Sequence, residues 1–139
     1  MRKILMAIGL FAGLAAPAMA ERIEVRVSIS SQSMTVFHDG EPVHEWPVST
    51  ARAGKITPLG TYTPWILSKH HRSSLYNNAP MPFAIFYDGD YAIHGTDQEH
   101  KLGQPASAGC VRLATDNAAI LFAMVQAEGM ENMRVVIVE

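Results

Sequence analysis

The sequence predicts a mainly-β domain, a sandwich or barrel-like sheet assembly with one α-helix packed against it. Three observations carry this expectation. The first run beyond residue 21 alternates apolar and polar residues with period 2, turn chemistry recurs between apolar runs, and helical spacing occurs only once.

Taken in order, Ile23, Val25, Val27 and Ile29 alternate with charged or hydroxyl residues, the pattern of a strand with one buried face. Residues 33–38 form a second run, and Asp39-Gly40 followed by Pro42 supplies a hairpin turn into a third that reaches Val48. Pro58, Gly60 and Pro64 frame a short strand ending near Leu67. Residues 68–80 are polar and irregular, as in an exposed loop that covers a site or in a plain connector. Residues 83–87 and 91–94 are two strand segments joined by Asp88-Gly89-Asp90, which places His94 at a strand end. Residues 96–108 lack apolar periodicity and form a loop returning to Gly109-Cys110-Val111-Arg112-Leu113. One helix follows, with Thr115 as its cap, Asp116 favouring the helix dipole, and Ile120, Leu121, Met124 and Val125 as the buried stripe. Gly129 closes it, and residues 135–138, apolar without alternation, form a last strand inside the sheet.

The N-terminus has the layout of a secretory signal. Arg2 and Lys3 precede an apolar run from 4 to 14, shorter than the roughly 20 residues of a membrane span. Pro17 and the small residues of Ala18-Met19-Ala20 place cleavage before Glu21, so residues 1–20 are expected to be a leader and 21–139 one exported domain with no stable membrane insertion. Without the leader, 9 basic residues face 13 acidic ones, which argues against nucleic acid as a partner. An exported protein ordinarily uses thiols in pairs, and this one has a single cysteine. Such a thiol is either inert packing or a nucleophile.

The surroundings of Cys110 favour the nucleophile. His94 lies sixteen residues upstream, and a loop that leaves a strand and returns beside its end brings such residues within reach. An imidazole is the usual acceptor of a thiol proton near neutral pH. Gly109 permits a turn that aims the backbone N–H groups of Ala108, Gly109 and Cys110 at a tetrahedral oxyanion. Arg112 can hold a substrate carboxylate or brace the loop.

His94-Gly95, Ser107, Gly109, Cys110 and Arg112, in that order and spacing, resemble the signature of the L,D-transpeptidases of the YkuD type: His-Gly, a loop, then Ser/Thr-x-Gly-Cys-x-Arg. Thr57-Pro58-Leu59-Gly60-Thr61-Tyr62 is similar to the family's Thr-Pro-x-Gly-x-Tyr segment, and the likeness extends from about Val25 to the C-terminus. The resemblance implies an L,D-transpeptidase-like β-sandwich and a cofactor-free enzyme of the periplasm or cell envelope. Its cysteine thiolate attacks the third residue of a peptidoglycan tetrapeptide stem, expels D-alanine, and passes the acyl group from a thioester to a stem amine or to an amine of a wall-anchored protein. It assigns Cys110 as nucleophile, His94 as base, the backbone around Gly109 and Cys110 as oxyanion donors, Arg112 as support or carboxylate ligand, Ser107 as loop brace, and Thr96 or a backbone carbonyl as the group orienting His94. One departure stands out: many members carry a second histidine where this chain has Ala108.

Water as acceptor would make the same pair an L,D-carboxypeptidase or amidase-like hydrolase. A non-catalytic wall-binding module is a further alternative, resting on Ala108 alone. A metal site of His94, His100 and Cys110, with His70, His71 or an acid as fourth ligand, matches no common zinc spacing. Trp65 and Tyr76 are candidate groove walls; His70, His71, His100 and Trp46 are expected to be structural or superficial.

Overall fold

The computed structural model describes residues 22–139; the expected leader and its cleavage point lie outside them. Nine strands form two sheets. β1 (Ile23–Ser28), β2 (Ser33–His38), β3 (Glu41–Pro47), β4 (Gly60–Tyr62) and β9 (Met133–Val138) make one, in the order β3-β2-β1-β9-β4. β5 (Ile66–Arg72), β6 (Pro80–Asp88), β7 (Tyr91–Thr96) and β8 (Val111–Ala114) make the other, in chain order. Inward residues of both sheets, among them Val25, Val27, Val36, Ile85, Ile93, Val111 and Leu113, share one core with the helix α1 (Thr115–Glu128). This is the expected β-sandwich with one packed helix.

Local chemistry explains most boundaries. Asp39 and Gly40 both take positive φ (52° and 85°), the two-residue turn geometry that matches strand twist, so β2 and β3 pair directly. β9 sits inside its sheet as expected, parallel to β1 and antiparallel to β4. Its apolar sequence nevertheless alternates in burial: Met133, Val135 and Ile137 face the core, while Val136 and Val138 are half-covered on the other face.

Two expectations need correction. The chain from Ser68 to Arg72 is not loop: β5 continues through it, paired in unbroken register with β6. It is an edge strand, largely exposed, so its Ser, Lys and His side chains carry no apolar signal. The irregular segment shrinks to residues 73–79.

The helix starts differently from the expectation, and its buried stripe is shifted: Leu121 and Val125 are buried as expected, Ile120 and Met124 are not. Ala114 is the N-cap, and the Thr115 hydroxyl donates to the Thr96 carbonyl (3.1 Å), tying the helix to β7 instead of capping it. Its buried residues are Ala118, Leu121, Phe122 and Val125, whereas Ile120 is 42% exposed and Met124 only half-buried. A helix this apolar all round offers periodicity on more than one face. Gly129 does end it, with φ +95° and its N–H on the Val125 carbonyl (2.8 Å).

The register of α1 is testable. Leu121→Ala removes a fully buried side chain and is expected to cost ~3 kcal/mol, while Ile120→Ala stays within ~0.5 kcal/mol. Denaturant unfolding of the two variants measures both, and equal losses would refute this orientation.

Candidate active site

The site lies on the face of the second sheet that looks away from the main core. β7 and β8 run parallel, with Ile93 opposite Val111 and His94 opposite Arg112. Because strand side chains alternate, burying Ile93, Val111 and Leu113 in the core turns His94, Thr96, Cys110 and Arg112 to the other face. Cys110 packs there beside a small cluster of Met81, Ala84, Phe86 and Ala92. A cavity of about 620 Å³ opens over it, lined by Cys110, His94, Arg112, Arg52, Tyr76 and Asp90, among others.

The loop before Cys110 is held by side-chain hydroxyls. Ser107 Oγ accepts the Gly109 N–H (3.0 Å) and donates to the Cys110 carbonyl (2.7 Å). Thr57 Oγ1 accepts the Ala51 N–H (3.0 Å) and donates to the Gly109 carbonyl (2.8 Å). Gly109 takes φ +141°, and a Cβ there would lie 2.7 Å from Tyr91 Cε1 and 2.9 Å from the Ile56 carbonyl oxygen, so glycine is required on both counts. The Gly109 amide, one of three expected oxyanion donors, is thus spent inside the loop, which leaves the amides of Ala108 and Cys110.

His94 is 6% exposed, and its Nδ1 lies 2.7 Å from the Gly95 carbonyl oxygen. A carbonyl only accepts, so Nδ1 carries the proton and Nε2 is the basic nitrogen. Burial brings its pKa down to about 4; the Gly95 contact opposes this, and the charges of Arg112 and His71 add to it. The imidazole is therefore neutral at neutral pH. Burial pushes the Cys110 thiol up, against the Ala92 backbone and the Arg112 charge, which favour the thiolate. The half-buried thiol donates a long hydrogen bond to the Asp90 carbonyl oxygen (3.8 Å) rather than to the imidazole. The resting pair is thiol and imidazole, both uncharged.

Cys110, His94, Arg112, Ser107, Ala108 and Thr96 all line the cavity. The group orienting His94 is the Gly95 carbonyl; the Thr96 hydroxyl is taken by the Gln98 N–H (3.0 Å). Gly95 faces the helix, where a Cβ would meet Thr115 Cα at 2.9 Å, so it supports packing and does not touch the cavity. Tyr76 is a wall, on the segment 73–79, but Trp65 lies elsewhere, 54% exposed. His70 and His100 are exposed, His71 meets the Phe86 ring edge-on, and among the described residues no three His, Cys, Asp or Glu gather as metal ligands. Sequence reasoning missed Arg52, Asp90 and Tyr91. Arg52 lies on the segment after β3, Asp90 on the turn after β6 and Tyr91 at the start of β7, and only their folded positions bring them to Cys110.

A thiol, a buried neutral imidazole and an amide-bearing loop around one cavity define the class of acyl-transfer sites. The particular family follows from comparison: a profile described as YkuD, the L,D-transpeptidase catalytic domain, matches residues 22–137, and the chain belongs to that family. No curated protein matches it. Solved structures share its fold. An L,D-transpeptidase from Mycobacterium smegmatis superposes with a TM-score of 0.74 at 20% identity, covering 85% of this chain and 59% of that one. One from Mycobacterium tuberculosis H37Rv gives 0.75 at 23%, over 85% and 58%. L,D-transpeptidase 3 from Mycobacterium tuberculosis, in complex with a faropenem-derived adduct, gives 0.73 at 20%, over 85% and 60%. The chain thus spans about three fifths of the length of these structures.

Two outcomes test the geometry. Gly109→Ala is expected to lose ~2 kcal/mol or more of stability, read from the thermal midpoint, because neither the Ile56 backbone nor the Tyr91 ring can move away freely. The second concerns pH. Unfolded His94 binds a proton near the usual 6.5, but the folded chain binds it only near 4, so the unfolded state holds more protons in that window and stability falls as pH falls. The loss amounts to about 3 kcal/mol across the window. His94→Gln should remove it, and parallel stability–pH curves for variant and wild type would contradict the buried neutral imidazole.

Proposed function

We propose that the chain is an exported peptidoglycan L,D-transpeptidase: residues 1–20 are a cleaved signal, and 21–139 form a catalytic domain working in the periplasm or cell envelope. The observation that carries the reading is the meeting of Cys110, His94 and Arg112 at one cavity beside an amide-bearing loop.

In this reading the thiol turns from the Asp90 carbonyl to Nε2 of His94 as substrate enters, gives up its proton, and attacks the carbonyl of the third stem residue. The oxyanion develops toward the amides of Ala108 and Cys110. Ser107 and Thr57 hold the loop so that these amides need no rearrangement during the reaction. His94, now protonated, returns the proton to the departing D-alanine nitrogen. An amine from a second stem, or from a wall-anchored protein, then attacks the thioester with His94 again as base. Because both resting groups are uncharged, forming the ion pair costs energy in the empty site. Substrate that brings Arg112 and the amides to bear on the developing charge offsets that cost.

The decisive measurement incubates residues 21–139 with disaccharide-tetrapeptide and follows products by mass spectrometry. Cross-linked dimer is expected, and Cys110→Ala should lower its rate ~1,000-fold or more. Tripeptide without dimer would assign water as acceptor and a carboxypeptidase in place of a transferase. The rate should rise with pH as His94 deprotonates near 4. Undiminished turnover in Cys110→Ala would end this reading.

A further inference from the structure

Arg52 is absent from the motif that drew attention to Cys110, yet the fold carries it to the same cavity as Arg112. The backbone does this: Ala51 bridges Ser107, and the Arg52 N–H donates to the Ser107 carbonyl (2.9 Å), fixing Arg52 on the loop that leads to the thiol. The Arg112 guanidinium is held by a neutral partner, Gln98 Oε1, at 3.3 Å. Among the described residues no carboxylate forms an ion pair with either guanidinium. Asp97, Asp88 at the end of β6 and Asp90 on the turn after it line the same cavity, and Asp97 acts on Arg112 through space without pairing with it. Burial disfavours the Arg112 cation, the thiol opposes this and the Arg52 charge adds to it, and both arginines line the one cavity. Two guanidinium groups on one cavity wall, neither neutralised in an ion pair, offer an anion two charged donors beside the thiol.

We infer that Arg52 and Arg112 together recognise a carboxylate placed just beyond the bond that Cys110 attacks, with Arg52 the residue that sets this specificity. Resting on the transpeptidase reading, the carboxylate is the free terminus of the leaving D-alanine. A stem one residue longer carries its carboxylate about 3.5 Å further out, past the pair. The clamp therefore measures the distance from scissile carbonyl to chain end.

The test separates anion recognition from turnover. Iodoacetate and iodoacetamide alkylate a thiolate by the same displacement, the sulfur–carbon bond forming as iodide leaves, and differ in that only the first carries a carboxylate. The ratio of their rate constants at Cys110, taken at pH 9 in low salt, cancels any change in thiol ionisation. It is expected to fall about fivefold in Arg52→Gln, to be largely kept in Arg52→Lys, and to shrink toward the variant's value in 1 M salt. An equal ratio in wild type and Arg52→Gln overturns the inference. In parallel, the KM for a stem tetrapeptide is compared with that for its C-terminal amide. Amidation should raise KM in wild type and much less in Arg52→Gln; equal effects of amidation would also overturn it. A falling alkylation ratio with neither peptide turned over would keep the anion site and remove the transpeptidase reading. Turnover with an unchanged ratio would do the reverse.

Discussion

The parallel pairing of β7 with β8 is the constraint on which the site depends. A slip of one residue would exchange faces, sending His94 or Arg112 into the core and Ile93 or Val111 into the cavity. Core packing against α1 forbids that slip. Parallel neighbours need a long connection, and residues 97–110 are that connection, so the loop bearing Cys110 exists because the strands are parallel. It is held in place by the segment after β3: Gly103 N–H reaches the Val48 carbonyl, Ser107 N–H the Thr50 carbonyl, and Ser49 and Arg112 exchange both backbone bonds. That brace is tied in turn to the other sheet by Gln32, a buried amide that donates to Thr50 Oγ1 (2.6 Å) and the Ile29 carbonyl (2.8 Å) and accepts the Thr50 N–H (3.0 Å). A buried amide so fully satisfied adds rigidity without a desolvation penalty left over.

The electrostatics of the site follow from the same burial. β7 is covered along most of its length, so its histidine is desolvated before any partner is considered. A buried imidazole that stays neutral is a competent base at every pH above about 4, whereas a surface histidine would be largely protonated in mild acid. The thiol is shifted in the opposite sense for the same reason, and Arg112 only partly corrects it. In the proposed function, reactivity is therefore withheld until substrate occupies the cavity. If the chain is exported as proposed, this also protects a lone thiol, since oxidation follows thiolate character.

Where the sequence was legible, one physical rule dominated its segment. Alternation fixed β1 because Ile23, Val25 and Val27 face a core on one side only, and Asp39-Gly40 fixed a turn because few residues accept two positive φ values. Cys110 stood out because one thiol in a chain expected to be exported is unusual. Where reading failed, the rule had no purchase. An edge strand such as β5 needs backbone partners and no apolar face, and the apolar helix α1 presents more than one plausible stripe. Arg52 carries no local pattern and Asp90 only that of a turn, because their part in the cavity is set by long-range contacts. The spending of the Gly109 amide on Ser107 is likewise invisible in a motif that names both residues but not the direction of the bond.

That bond changes how the Ala108 departure should be understood. With Gly109 engaged and alanine at position 108, the proposed oxyanion would meet the amides of Ala108 and Cys110, with Arg112 as the nearby charge. A transition state with few direct donors must draw on binding energy from groups that do not react. The walls of the cavity offer such groups: Tyr76 on the segment 73–79, Asp88 and Asp90 on the β6–β7 turn, and the two arginines beside the loop. The segment 73–79 is itself preorganised, its Ser73 hydroxyl accepting the N–H groups of Leu75 and Tyr76 and its Ser73 N–H bonded to the Ala79 carbonyl. Under the proposed function, the burden of catalysis shifts from the oxyanion hole toward accurate placement of the substrate, and such a site would discriminate most sharply against stems whose charged ends fall in the wrong place.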